Sequence, residues 1–479
     1  MHRFVLSLTL IASLPHCKSF SGSNEQRTAR KVISIAAAEA VTCAVFENGK
    51  AACVGKTGSL TGHSGIFADS STASAAPELP LPFAISSLAI AQNQRGMHGC
   101  ALSKDGRVFC WGDNPRGQAG PPAESQALAE LAAKSGIPLK KLARLRPVSL
   151  AAELMLPEKA AAVVTGYAHS CALTVSGSVF CWGDNIFYQL GQERFPGKAL
   201  IEQSSTPIPV SVVTRDEAAR GLRAMQLAAG SNHTCALLSD GFVRCWGDNG
   251  FGQLGHIAIA RNDGDADAAA RVGVAPSQKG NLPLLSAAEQ AQGLRAQFVA
   301  AAGDRSCAAF SNGRVRCWGE NRWQKLGYTN EKYPKVSLVK PPAEMGDIPL
   351  AGDIAAIVMS QVHSCALARS GAVYCWGSNA NGQLGDPAIS STENDGQMPP
   401  KAVPLLRASE VDTVVSLAAG AGHTCALLQT GKVRCWGQGF DGQLGTGFAK
   451  KFGKKECMNF TAYCLGDEAD ELPPPDVSW

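Results

Sequence analysis

Residues 423–437, "HTCALLQTGKVRCWG", decide how the whole chain reads. Cys425 and Cys435 stand ten positions apart, a Gly sits at the centre and a Trp-Gly closes the segment. Apolar residues recur on both arms, and a Gly at the last loop position takes the left-handed conformation that closes a three-residue hairpin. Folding the segment about its centre puts the two cysteines opposite each other on a non-hydrogen-bonded pair. There the α-carbons lie about 4.5 Å apart, at the short end of the disulfide range. The same count sets His423 opposite Gly437, a bulky group facing a Gly. Three readings compete for such a segment: a metal site, a redox pair or a structural clasp.

The segment recurs seven times: "VTCAVFENGKAACVG", "HGCALSKDGRVFCWG", "HSCALTVSGSVFCWG", "HTCALLSDGFVRCWG", "RSCAAFSNGRVRCWG", "HSCALARSGAVYCWG" and "HTCALLQTGKVRCWG". Cys43 pairs with Cys53, Cys100 with Cys110, Cys171 with Cys181, Cys235 with Cys245, Cys307 with Cys317, Cys365 with Cys375 and Cys425 with Cys435, each ten apart. A His-x-Cys plus Cys set supplies at most three metal ligands, and two copies lack the His, with Val41 and Arg305 in its place. The close Cys-x-x-Cys spacing of a redox pair is absent. The clasp reading survives: seven hairpin disulfides, each closing a short loop and contributing roughly 2–3 kcal/mol. Cys457 and Cys464, outside the repeats, read as an eighth pair, which leaves Cys17 alone of the 17 cysteines.

Six units continue as "WGDNPRGQAG", "WGDNIFYQLG", "WGDNGFGQLG", "WGENRWQKLG", "WGSNANGQLG" and "WGQGFDGQLG", tight turns rich in Gly and Asn. Most hairpins follow a short apolar segment ending in small residues, such as "MQLAAG" or "VSLAAG", and before that a Pro-containing extended piece such as "TPIPVSVV". Four short strands per unit, repeated every 57 to 72 residues, predict an all-β chain: a seven-bladed β-propeller of four-stranded blades over residues 31–479. The first unit starts at "KVISIAA" with no Pro-containing strand before it, and the chain ends in the Pro-containing "ELPPPDVSW" with no hairpin after it. The expectation is that the two termini together complete one blade and so close the ring, leaving no unpaired edge.

The "HTCAL…GKVRCWG…GQLG" pattern resembles the repeats of the regulator of chromosome condensation family, which are seven-bladed propellers, and looks most like Cys-bearing repeats of exported bacterial members. A likeness to sialidase-type BNR repeats is weaker, because their Asp box needs Asp-x-Gly and here Asp240-Gly241 and Asp105-Gly106 are adjacent. The family namesake exchanges nucleotide on a small GTPase and binds chromatin. The resemblance to exported members points instead to binding, with inhibition of an enzyme as one form.

Charge and the N-terminus bear on where the chain works. A net charge of +4 is close to balance and argues against nucleic acid as a partner. His2 and Arg3 precede an apolar run from Phe4 to Leu14, too short to span a bilayer and fitting a secretory signal over residues 1–23. Cys17 is the lipidation candidate, with Leu14 three places before it; cleavage near Ser19–Ser23 is the rival. An exported chain, periplasmic, outer membrane-anchored or extracellular, can oxidise its cysteines.

Function is expected where the units differ. Long insertions near 121–145, 256–280, 386–401 and 446–471 all follow the "GQLG" position, so they project to one side and decorate one face. The first reads as helical between Glu124 and Lys134. The second carries Asp263, Asp265 and Asp267 in alternation, but Val274 stands where a calcium loop needs its last Glu. Lys450, Lys451, Lys454 and Lys455 form a basic cluster in the fourth. Trp111, Trp182, Trp246, Trp318, Trp376 and Trp436 recur at one position and are expected between neighbouring blades, an aromatic glycan platform being the alternative. The five repeat histidines, His98, His169, His233, His363 and His423, read as core-filling. No nucleophile elbow, phosphate loop or zinc-protease motif occurs. The expected function is therefore non-catalytic, without metal or cofactor: a monomer binding a protein, or less readily a glycan, through its loop-bearing face. The alternatives are an exchange factor and a polysaccharide-acting enzyme with acidic residues at the central opening.

Overall fold

The computed structural model describes residues 30–56, 76, 78–93, 96–122, 130, 133, 145–146, 151–192, 201–256, 276–328, 341–385, 398–445, 476–477 and 479. The described chain is almost entirely strand and forms seven antiparallel sheets in succession. Each starts with one apolar strand: Val32–Ala38, Ile85–Asn93, Ala160–Thr165, Ala224–Ala229, Ala296–Ala302, Ile354–Met359 and Val414–Ala419. The predicted hairpin supplies the next two strands, as in His233–Leu238 with Val243–Gly247.

Register follows the expected count in all seven hairpins. Cys43 faces Cys53, Cys100 faces Cys110, Cys171 faces Cys181 and Cys235 faces Cys245. In the remaining three, Cys307 faces Cys317, Cys365 faces Cys375 and Cys425 faces Cys435, and His423 faces Gly437. Sγ–Sγ separations in these seven pairs are 1.94–2.09 Å, the geometry of a bonded pair, with Cα–Cα distances of 4.0–4.1 Å. The α-carbons thus stand closer than the 4.5 Å of a regular non-hydrogen-bonded pair. In every sheet the first strand carries a one-residue irregularity near its start, with Ile33, Ser86, Ala161, Met225, Gln297, Ala355 and Val415 passed over in the pairing. A bulge at this point increases the local twist of the strand.

The fourth position of each sheet is taken by the chain that follows its hairpin. Leu145–Arg146 and Ala152–Leu154 pair with the third strand of sheet 2, Gln203–Val210 with that of sheet 3 and Asp476–Val477 with that of sheet 7. Elsewhere the contact is shorter: Leu79 N donates to Ala51 O, Leu282 N to Val243 O, Ile348 N to Val315 O and Val403 N to Val373 O. These segments are rich in Pro, which an outer edge tolerates because no ladder bond is lost there.

This order corrects one expectation. The two termini do not share a sheet: Val32–Ala38 belongs to the first and Asp476–Val477 to the seventh. A Pro-containing segment pairs with the hairpin before it rather than after it, because an antiparallel neighbour reached directly needs no crossover. Each sheet is therefore complete from continuous chain, and the ends meet by packing instead. Trp479 lies edge-on to Phe46 with ring centroids 6.2 Å apart, in one core cluster with Val32, Val433 and Val477. First strands of successive sheets touch, and that of sheet 1 also touches that of sheet 7.

Candidate functional site: the sheet ends that carry the long loops

In each sheet the third strand runs away from the hairpin turn and reaches a Gly at its far end, preceded by Trp in six sheets and by Val54 in the first. The loop joining the first and second strands reaches the same end, and backbone bonds fasten the two. Asp248 N donates to Asn232 O (2.9 Å), Glu320 N to Asp304 O (3.0 Å), Ser378 N to Val362 O (2.9 Å) and Gln438 N to Gly422 O (2.8 Å). Beyond it the chain folds into the "DN…GQLG" turn, built by two side chains. Asn249 Oδ1 accepts from Leu254 N (2.9 Å), and Gln253 Oε1 accepts from Phe251 N (2.8 Å). Asn185 and Asn379 repeat the first bond, and Gln189 and Gln383 the second.

Gly120, Gly255, Gly385 and Gly445 end these turns with φ between +68° and +87°, a left-handed conformation that suits Gly. All four long insertions start directly after them and so leave from this end. The insertions themselves, with the helix expected at Glu124–Lys134, Asp263, Asp265, Asp267, the lysine cluster and the pair expected between Cys457 and Cys464, lie outside the described residues apart from Pro121, Pro122, Glu130, Ala133, Leu145, His256, residues 276–280 and residues 398–401. Cys17 and the signal segment also lie outside them.

The repeated Trp and His residues link one sheet to the next. Trp182, Trp246, Trp318, Trp376 and Trp436 are buried, and each Nε1 donates to the carbonyl of the turn residue of the preceding sheet: Gln118, Gln189, Gln253, Lys325 and Gln383, at 2.9–3.0 Å. Such burial leaves no face of these rings for a glycan. The histidines bond to the hydroxyl that precedes the first Cys of the next sheet: His98 to Ser170 (3.0 Å), His169 to Thr234 (2.9 Å), His233 to Ser306 (2.9 Å), His363 to Thr424 (2.8 Å) and His423 to Thr42 (2.8 Å). Where Arg305 replaces His, its Nη1 donates to Ser364 Oγ at 2.9 Å, so the substitution keeps the link. Burial holds these histidines neutral, pushed down to about 4 for His98 and His423 and about 3 for His169, His233 and His363.

The pairing of His with Gly across the hairpin has a different cause from the one expected. Gly247 has φ +106° and a Cβ there would fall 2.4 Å from Asn232 O, so the backbone demands Gly. The imidazole instead lies over the Gly three places before it: a Cβ on Gly166, Gly230 or Gly420 would stand 2.1 Å from the ring.

Charges converge at the inner rim of this end. Asp304 is pushed up to about 6 by burial and by Asp248 and Glu320, with Lys325 and Arg305 opposing. Glu320 receives Lys325 Nζ at 2.6 Å. Fully buried Arg305 is drawn down to about 9 by the same desolvation. Tyr167 of sheet 3 is raised by burial, with contributions from Asp304 and Glu320 of sheet 5 and Glu39 of sheet 1. The inner ends of these non-adjacent sheets thus lie within electrostatic reach of one another. Further out, the turn tips expose Ile186, Phe251 and Phe440.

The sequence reading overlooked two sets of residues. The hydroxyl in "H-[S/T]-C" was visible as a recurring letter at Thr42, Ser170, Thr234, Ser306, Ser364 and Thr424. Arg244, Arg316 and Arg434, in "VRCWG", reach outward to Glu217, to Glu289 with Asp347, and to Glu410 with Asp476. Glu217 and Glu289 also close capping boxes with Thr214 and Ser286, a signature that the spacing T/S-x-x-E carries.

Comparison with known proteins agrees with this geometry. Family models described as "Regulator of chromosome condensation (RCC1) repeat" match residues 98–118, 160–189, 226–253, 354–383 and 414–443, and residues 176–237 and 370–427. The chain carries regulator of chromosome condensation repeats. The two units outside these matches are the first and fifth, the two that lack the linking His. The repeats are 26% identical over 339 residues to the human E3 ubiquitin-protein ligase HERC2, covering 70% of this chain and 6% of that protein. They are 27% identical over 287 residues to the ultraviolet-B receptor UVR8 of Arabidopsis thaliana, 60% of this chain and 54% of that one. The chain thus spans little of the first and about half of the second. Among solved structures, human WBSCR16 superposes with a TM-score of 0.59 at 18% identity, over 83% of this chain and 86% of its own. Yeast RCC1 (Prp20), solved with Kap60 bound, gives 0.58 at 19% over 98% and 91%. Prp20p of Saccharomyces cerevisiae, described with its binding to Gsp1p and histones, gives 0.54 at 21% over 81% and 78%. At these identities the likeness speaks for the fold.

Proposed function

We propose that this chain is a closed seven-bladed propeller, exported and oxidised, that binds a protein through the end bearing its long loops. Closure is supported by the His423–Thr42 bond and by Trp479 packing on Phe46 across the seam between sheets 7 and 1. Oxidation is supported by seven buried cysteine pairs in bonding geometry. Export rests on the apolar N-terminal segment and on the number of cysteines, with Cys17 as its anchor if it is acylated. The observation that carries the binding reading is the departure of four insertions from equivalent glycines at one end. RCC1 repeat structures solved with a protein partner make protein the favoured ligand, and exchange-factor activity is the form the family namesake suggests.

The test is capture with two forms of the oxidised, signal-free chain, one carrying a photo-crosslinker at the turn tips and the other at the hairpin turns, followed by mapping of the adducts. Adducts confined to the hairpin-turn end would overturn the reading. A second reading has one observation in its favour: Asp304, Asp248 and Glu320 form a group of acids in which one is held up to about 6, as general acid chemistry on a glycan requires. Release of reducing ends from envelope polysaccharide, abolished in Asp304→Asn, would establish it.

A further inference from the structure

The turn tips of sheets 3, 4 and 5 carry apolar residues that their turns do not need. Ile186 is 42% exposed and Phe251 37% exposed, on the same turn of consecutive sheets but one position apart: Ile186 stands where sheet 4 has Gly250, and Phe251 where sheet 3 has Phe187. Sheet 6 builds the same turn with Ala380 and Asn381: Asn381 N donates to Gln383 Oε1 (2.8 Å) and Leu384 N to Asn379 Oδ1 (3.1 Å), the same two bonds as in sheet 4. Folding therefore does not require Phe251 in the open, and exposed apolar groups at neighbouring tips mark a contact surface. On sheet 5 the half-buried Trp323 continues the row, held at φ +60° with the Arg322 guanidinium 4.9 Å and Lys325 Nζ 5.2 Å from its ring centroid.

Behind these tips lie carboxylates of unequal status. Asp184 has Arg116 Nε at 3.8 Å, and Glu320 has Lys325 Nζ at 2.6 Å. Asp248 and Asp304 make no ion pair among the described residues; Asp248 Oδ1 accepts only from Gly250 N, at 3.0 Å. Ser231 N donates to Gly303 O at 2.8 Å and Asp248 N to Asn232 O at 2.9 Å, which brings the loops holding the two acids together, near enough for Asp248 to raise Asp304. Lys325 and Arg305 oppose Asp304 without pairing with it, so Asp248 is the carboxylate that a cation brought from outside would find without a partner cation among the described residues, with Asp304 beside it.

We infer that this arc docks a cationic segment of a partner protein, with a Lys or Arg side chain over Asp248 and Asp304 and flanking apolar residues against Ile186 and Phe251. The inference rests on the reading of this end as the protein-binding face and names the chemistry of the partner. Charge placed at the centre and apolar contact at the edge would together fix the orientation in which the segment binds.

The test uses the full oxidised chain and two fluorescein-labelled octapeptides: one with Lys-Arg flanked by Phe and Leu, the other with Glu-Glu in place of Lys-Arg. Anisotropy should show the cationic peptide binding at least tenfold more tightly. Binding should weaken at least tenfold when Asp248→Asn is combined with Asp304→Asn, and at least fivefold when Ile186→Ala is combined with Phe251→Ala. The second pair lies at exposed tips and leaves the turn bonds intact, so it tests the surface even if the first pair perturbs folding. Equal affinity for the two peptides, or unchanged binding in both variants, overturns the inference. If a captured partner crosslinks at Phe251 and the cationic peptide does not displace it, the face stands and the cationic segment falls. Crosslinks confined to the hairpin-turn end remove both.

Discussion

His423 Nε2 lies 2.8 Å from Thr42 Oγ1, so a residue of the last sheet bonds to one of the first, 381 positions away in sequence. The same bond recurs between successive sheets from the second onward, with Arg305 substituting once. It is missing only between sheets 1 and 2, where Val41 stands in the His position and Gly99 in the hydroxyl position. Both partners are absent together there, which leaves no buried donor stranded.

Breaking the seam bond from one side should therefore cost more than removing it from both. Thr42→Val strands the His423 ring nitrogen in a fully buried site, at about 1–3 kcal/mol. Adding His423→Leu removes the stranded group, so the double variant should be less destabilised than the sum of the singles. Denaturant titration of the four proteins measures the coupling, and strict additivity would show that the bond carries no weight.

The sequence showed the hairpins, their register and their number because each is local: Cys, Gly turn, Cys and Trp-Gly lie within 15 residues and repeat. It concealed what depends on neighbours in space. Nothing between His423 and Gly437 says that the imidazole reaches Thr42, or that Gly437 is required by its φ of +100° and by Gly422 O, 2.5 Å from where a Cβ would stand, rather than by the imidazole. The assignment of "ELPPPDVSW" to the first sheet failed for a related reason: a short Pro-containing strand carries no mark of which hairpin it joins. Asp248 and Asp304 sit 56 positions apart in different units, and only the packing of sheets 4 and 5 brings them together.

Acid should unfold the protein well before its carboxylates are exhausted. His98, His169, His233, His363 and His423 fold with values of about 3 to 4 against 6.5 when free. Between those limits the unfolded chain binds protons that the folded chain refuses, so stability is full above about pH 6.5 and falls as pH drops. Each His contributes a slope of about 1.4 kcal/mol per pH unit inside the window. Asp304, raised to about 6, acts in the opposite sense and offsets one of the five. The carboxylates of Glu217 and Glu289, held at about 2 chiefly by Arg244 and Arg316, add to the loss only below about pH 4.5. A melting temperature flat from pH 7 to 4.5 would contradict this.

Arg316 should matter more than the carboxylates it holds. Its side chain is 5% exposed and donates to Leu284 O, Glu289 and Asp347, tying the outer segments on both sides of sheet 5. Arg316→Ala leaves partly buried Glu289 without its cation and Asp347 with only the exposed Arg314, and should cost on the order of 3 kcal/mol. Glu289→Gln keeps a capping acceptor and leaves Asp347 in place, so about 1 kcal/mol is expected. Thermal unfolding of both variants should rank them in this order.

Reduction should weaken every sheet while leaving its register intact. Each cysteine pair closes a loop of ten-residue separation, for which loop entropy gives about 2–3 kcal/mol per bond. Replacing Cys235 and Cys245 together by Ser should lower the melting temperature of sheet 4 and its neighbours without altering the peptide map of the other pairs. Mass spectrometry of unsubstituted protein taken from its native compartment should find Cys43 joined to Cys53, Cys100 to Cys110, Cys171 to Cys181, Cys235 to Cys245, Cys307 to Cys317, Cys365 to Cys375 and Cys425 to Cys435, as in the structure. Free thiols there would remove the clasp and the argument for export with it.

Two glycines of one turn should respond in opposite ways to the same substitution. Gly247 has φ +106°, and a Cβ would stand 2.4 Å from Asn232 O and 2.7 Å from the His233 α-carbon, both backbone atoms that cannot yield. Gly250, three residues on, would bring its Cβ only to 3.5 Å from Asp248 Oδ1, at a backbone angle open to any residue. Gly247→Ala should therefore cost several kcal/mol through clash and left-handed strain, whereas Gly250→Ala should be neutral or slightly stabilising by restricting the unfolded chain. Measured by denaturant midpoint, equal losses for the two would mean that the loop joining the first and second strands is not fastened to the Trp-Gly turn in the way described, and the shared end on which the binding face depends would go with it.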